Sequence, residues 1–123
     1  MPQKTHSYRL VNLKGFWDEG YIALRGEVHG LQGPISPQQV AESITGCRVY
    51  VASYAVERTP CPGCPIQYRD FLLFGKEAMT EGGVYCKIPA KGKKGQTYFL
   101  KVHLIGPGES MGPPSEEVQV TAE

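Results

Sequence analysis

Apolar and polar residues alternate with a period of two along most of the chain, and no long stripe at helical spacing interrupts them. YRLVNLKGF (8–16) predicts a first strand, closed by the turn-like DEG at 18–20. In YIALRGEV (21–28), Ile22, Leu24 and Val28 share one face, while Tyr21, Arg25 and Glu27 share the other. HGLQGP (29–34) ends that strand with glycines and a proline. CRVYVASYAVE (47–57) is the strongest strand pattern, with Cys47, Val49 and Val51 on one face and Arg48 and Tyr50 on the other. QYRDFLLFG (67–75) and GVYCKI (83–88) follow, then a lysine-rich turn, KGKKG (91–95). QTYFLKVHLIG (96–106) turns Tyr98, Leu100, Val102 and Leu104 inward and Thr97, Lys101 and His103 outward. PGESMGPP reads as a loop, and EEVQVTA (116–122) as the last strand.

SPQQVAES (36–43) is the one helix candidate. Ser36 can cap it, Pro37 fits the first helical position, and Gln39 stands where a capping box places glutamine. With Val40 as its single clear apolar anchor, this helix is expected to last a turn or two. Seven short strands with Gly/Pro punctuation therefore predict an all-β chain, a seven-stranded antiparallel β-sandwich with a short helix in one connection. A closed barrel is the second choice.

At 123 residues the chain fits one domain, expected over 8–122 behind a disordered tail at 1–7. Thirteen Lys+Arg against twelve Asp+Glu leave a net charge of +1, which argues against a nucleic-acid partner, since that needs a concentrated basic face. The longest apolar runs, such as FLLF (71–74), are far short of a membrane span. The opening MPQKTHSYRL lacks an apolar h-region, so no signal peptide is read in it. An even set of four cysteines, two of them in a Pro-rich loop, favours an oxidising compartment.

RTPCPGCPIQY (58–68) is the stretch with the most chemistry in view. A thioredoxin-like pair needs its nucleophilic cysteine at a helix N-terminus, where the dipole lowers the thiol pKa. Pro60, Pro62 and Pro65 deny that helix. A metal site usually needs a second knuckle, and Cys47 and Cys86 lie singly on different strands, so no metal or other cofactor is expected. Pro65 also stands where haem attachment requires histidine. The expectation is a disulfide between Cys61 and Cys64 that rigidifies the loop. Cys47 and Cys86, both inward-facing, are either free core thiols or a cross-sandwich disulfide.

No other residue set gathers for catalysis. Asp18, Glu19, Asp70, Glu116 and Glu117 read as solvated acids, and neither Ser53 nor Ser110 sits in a nucleophile-elbow setting. Tyr50, Tyr54, Tyr68 and Phe71 are the contact candidates if the strands at 47–57 and 67–75 are neighbours, because exposed tyrosines offer rigid apolar area and a hydroxyl. The competing reading has them packing on each other as cross-strand pairs. The loop residues Glu109, Ser110 and Met111 are the other candidate surface.

The segment GQTYFLKVHLIGPGESMGPPSEEVQVTA (95–122) resembles the last hairpin of a fibronectin type III domain, a member of the immunoglobulin-like sandwiches. Tyr98 matches the tyrosine that opens strand F, GESMGPPS (108–115) matches the F–G loop, and ITGCRVYVA (44–52) resembles strand C. Cys47 takes the place of the strand C tyrosine. The usual strand B tryptophan is missing, with Gly26 near its place and Trp17 expected to fill the same volume. Within that family Cys61, Pro62, Cys64 and Pro65 resemble the C-P-x-C-P insertion of small domains in predicted bacterial lipoproteins. The resemblance implies an extracytoplasmic protein of the periplasm, envelope or exterior, touching membrane only through a lipid anchor outside this chain. The expected function is a non-catalytic protein-binding or spacer module with a protein partner. The alternative is a small metal-binding or thiol-redox protein working through Cys61 and Cys64.

Overall fold

The computed structural model describes residues 5–90 and 95–122 and contains, among them, ten strands and one α-helix. The strands form two antiparallel sheets. One runs β1 (Arg9–Asp18), β2 (Tyr21–Gly30), β7 (Gly83–Pro89), β6 (Met79–Thr80), with β3 (Gly33–Pro34) on the far end of β2. The other runs β10 (Val118–Thr121), β8 (Gln96–Ile105), β4 (Gly46–Ala55), β5 (Asp70–Phe74), with β9 (Met111–Pro114) also on β8. The layers enclose one core of Leu10, Ile22, Leu24, Val49, Leu100, Leu104 and their aliphatic neighbours. The architecture is a β-sandwich.

Seven strands were expected and ten are present. The additions are short: β3 and β6 have two residues each, too few to show alternation, and β9 falls on the Gly/Pro segment MGPP. Met111–Pro114, expected as loop, pairs with β8 through Ile105↔Met111 and His103↔Pro114. Ser115 then breaks the edge: its backbone N–H donates to Val102 O at 2.8 Å, and its hydroxyl accepts from Val102 N at 2.9 Å.

The turn between β1 and β2 is made by Glu19 and Gly20, both with positive φ (41° and 88°), which suits the right-handed twist of a two-residue hairpin. β1 contains a bulge between Val11 and Lys14, where Asn12 takes φ 53°. Strict alternation would have set Leu10 and Leu13 on opposite faces; the extra residue buries both. Gly26 lies under Leu10, whose Cγ would stand 2.7 Å from a Cβ built there. Leu10, not Trp17, thus occupies that space. Trp17 stacks instead on Tyr98, centroids 6.5 Å apart and planes at 21°.

Helix α1 (Pro37–Ser43) begins as its sequence predicts, with the Ser36 hydroxyl accepting from Gln39 N at 3.2 Å. The reciprocal half of the capping box is not made; Gln39 Nε2 donates to the Tyr8 hydroxyl at 3.1 Å. Of the segment expected as a tail, residues 1–4 lie outside the described residues. Thr5 bridges Met111, and His6 is held at both ring nitrogens, accepting at Nδ1 from Tyr8 N (3.1 Å) and reaching Leu104 O from Nε2 (3.0 Å). These contacts tie Thr5 and His6 to β9 and β8. Four residues of the lysine-rich turn, 91–94, also lie outside the described residues.

Candidate functional site: an aromatic sheet face beside a disulfide loop

Alternation along β4, β5 and β8 sends one residue in two to the solvent side of the second sheet. The register sets Tyr50 opposite Phe71 on one neighbour and Lys101 on the other, with Arg48 opposite Leu73 and His103. Tyr50 is therefore the hub. Its ring lies 5.8 Å from Phe71, 5.5 Å edge-on from His103, and 6.3 Å from Tyr68 at an interplanar angle of 70°. Two cations stand over the outer rings: the Arg48 guanidinium 4.7 Å above Phe71, and Lys101 Nζ 5.2 Å from the Tyr68 ring. Such contacts orient long cationic side chains that would otherwise be free.

Arg48 Nη1 also donates to the Tyr50 hydroxyl at 3.3 Å, while its Nε is buried with no acceptor. His103 Nδ1 lies 2.9 Å from Gly112 O, which fixes the ring that faces Tyr50. Tyr68 donates to a Glu117 carboxylate oxygen. Burial first, and then the Glu117 carboxylate, push the Tyr68 phenol above its ordinary range. Tyr54 belongs to a separate pair, edge-on to Phe99 at 5.8 Å and 79°.

The cysteine loop begins where β4 ends. Cys61 and Cys64 are disulfide-bonded, Cα atoms 5.2 Å apart, and Cys64 N donates to Cys61 O at 2.9 Å. Pro62 and Gly63 (φ 80°) fill the middle of that turn, as a type II turn requires. No α-helix adjoins either sulfur. Upstream, the Thr59 hydroxyl lies 3.4 Å from that of Thr97. This explains why Thr97, expected outward, is buried: its side chain does point away from the core, but the loop covers it.

Cys47 and Cys86 are free thiols, buried on the inner faces of opposite sheets. The neighbouring Cys86 and burial together hold the Cys47 thiol far above the usual range. Of the loop candidates, Glu109 is exposed with φ 61°, Met111 is half-buried in β9, and Ser110 is buried, its carbonyl accepting from Gly106 N at 2.8 Å. Ser110 is thus unavailable as a contact residue. Among the described residues, no group of three or more His, Cys, Asp or Glu is placed to hold a metal ion.

The first sheet carries a groove of about 620 Å³ lined by Lys14, Arg25, Glu27, His29 and Glu81 among others. Within it Glu27 accepts from Asn12 Nδ2 at 2.8 Å and stands 3.7 Å from His29.

No family model matches the sequence, and no curated protein does. Among solved structures the chain is similar to a DUF3823 family protein from Bacteroides ovatus ATCC 8483, with TM-score 0.57 and 11% identity. It is also similar to a family 76 glycoside hydrolase from a bovine Bacteroides thetaiotaomicron strain, with TM-score 0.53 and 12% identity. The likeness is one of fold. It covers 94% and 92% of this chain but only 55% and 20% of those two proteins, so the chain spans about half of one and a fifth of the other.

Sequence reasoning singled out Tyr50, Tyr54, Tyr68 and Phe71 but missed Arg48, Lys101, His103, Phe99 and Glu117. Alternation alone marks most of these as outward. What it lacks is the register that brings Arg48 beside His103 and Tyr50 beside Lys101.

Proposed function

We propose that this chain is a fibronectin type III-like, non-catalytic module that binds a protein partner, carried by an exported or envelope-associated protein. The long strands support the fold reading: β1-β2-β7 lie opposite β10-β8-β4-β5, and a buried tyrosine, Tyr98, opens β8. The Cys61–Cys64 disulfide supports an oxidising compartment, since such bonds persist outside the cytosol. A lipid anchor beyond this chain is part of the same reading. That the two structural neighbours are longer than the matched unit supports a module joined to other domains.

The observation that carries binding over mere spacing is the solvent-facing ridge around Tyr50. Phe71 is 49% exposed there, and the Arg48 guanidinium lies 4.7 Å over its ring. Aromatic and arginine side chains dominate contact energies.

The test is affinity capture from native envelope extract with the wild type and a Tyr50→Ala/Phe71→Ala variant whose Tm remains high enough for a folded chain. A partner held by the first and lost by the second supports binding at this face. No partner at any salt concentration leaves the spacer role, and equal capture by both places binding off this face.

A further inference from the structure

Strand β5 ends its sheet. It pairs with β4 from Cys47↔Phe74 to Val51↔Asp70, and among the described residues no strand lies on its other side. Protein edges are usually blunted by proline, lysine, a bulge or a covering segment. β5 has the run Phe71-Leu72-Leu73-Phe74 instead, with Leu72 38% and Leu73 61% exposed. Below it the sandwich opens into a cleft of about 450 Å³, lined by Val51, Leu72, Ile88, Pro89, Arg69 and Asp70 among others. From the other sheet Ile88 and Pro89, at the end of β7, complete its wall.

The flanks of this edge carry a charge pattern that inverts on reversal. Arg69-Asp70 precede the apolar run, and Lys76-Glu77 follow it after Gly75. When two copies are laid antiparallel about Leu73, Arg69 meets Glu77 of the other copy and Asp70 meets its Lys76. Leu73 meets Leu73, and Leu72 meets Phe74. Opposite residues of an antiparallel pair share a face, so the last of these contacts lies on the core side of both sheets. A parallel arrangement would instead set like charges beside each other. Lys76 and Glu77 lie past Gly75 in a 3-10 turn, where Glu77 Oε1 accepts from Gly75 N at 2.9 Å and Oε2 is left for a second partner, so these charges flank the backbone ladder.

We propose that β5 is a homodimerisation edge, at which a second copy of this chain adds its own β5 antiparallel across a two-fold axis and joins the two sheets into one. Such an interface is isologous and closes on itself, so it makes dimers and not fibres. It is small, which sets its affinity in the micromolar-to-millimolar range. The proposal does not depend on whether the Tyr50 face binds a partner.

Sedimentation velocity of the whole chain from about 1 μM to about 1 mM tests it, that range bracketing the expected affinity. The expected result is a monomer–dimer equilibrium, with β5 amides exchanging more slowly as concentration rises. Leu73→Lys, at an exposed position, should leave a folded monomer throughout. Asp70→Lys sets lysine opposite Lys76 twice per dimer and should weaken association about tenfold. Asp70→Lys with Lys76→Asp should restore it. A monomer at every concentration overturns the proposal, including the case in which the edge takes up only an extended segment of another protein. So does a dimer that survives Leu73→Lys, or a charge exchange that fails to rescue.

Discussion

The Tyr68 hydroxyl donates to the Glu117 carboxylate across 49 residues of sequence, joining the end of the cysteine loop to the residue before the last strand. This bond makes stability sensitive to alkali. An unfolded tyrosine loses its proton near pH 10. In the folded chain burial and Glu117 hold the Tyr68 phenol higher, so above that pH the unfolded state binds fewer protons than the folded one. Stability is complete below about pH 10 and falls as pH rises beyond it. Urea midpoints measured across that range should decline in the wild type and decline less in Tyr68→Phe. Some slope should remain, because burial raises Tyr98 as well.

Reducing the Cys61–Cys64 bond should cost little. In the chain-entropy model so short a ring contributes about 2 kcal/mol at most. The Cys61→Ser/Cys64→Ser variant is expected to fold, with a modestly lower Tm and faster proteolysis within residues 58–69. Stoichiometric zinc in the reduced protein, absent from Cys61→Ser, would replace the structural reading of this loop with a metal site.

Cys47 and Cys86 should resist thiol reagents in the native state and titrate together on denaturation, since both are buried and Cys47 is held in its neutral form. Replacing Cys47 by serine sets a hydroxyl in the buried core, with the Cys86 thiol as its polar neighbour, and is expected to cost about 1–3 kcal/mol. Denaturant titration of the variant measures it.

Gly46→Ala tests the join between β4 and β5. A Cβ at Gly46 would overlap the Phe74 carbonyl oxygen and press on Gly75 Cα. The strands must separate locally, at a cost of about 1–3 kcal/mol. Because β5 carries Phe71, the variant should also weaken whatever the aromatic face binds, which Gly20→Ala, in open space in the β1–β2 turn, should not do.

His6 fastens the first described residues to β8. His6→Ala should leave the core intact but raise amide exchange at Thr5–Tyr8, because both ring contacts, to Tyr8 N and Leu104 O, are lost together.

The seven principal strands, the inward faces of β2 and β8, and the cap of α1 were all legible along the chain, because each depends on residues a few positions apart. Ile22, Leu24, Leu100 and Leu104 point inward by the pleat alone, and Ser36 caps because its hydroxyl reaches the backbone N–H three residues on. What folding in three dimensions decided was everything that depends on which strands become neighbours. The bulge at Asn12 that buries both Leu10 and Leu13 is one example, and the loop that covers Thr97 is another. The assembly of Arg48, Tyr50, Phe71 and His103 into one face, and the apolar edge of β5, belong with them. Alternation states which side of a sheet a residue takes. It carries no record of strand order or register, and those set what each side chain meets.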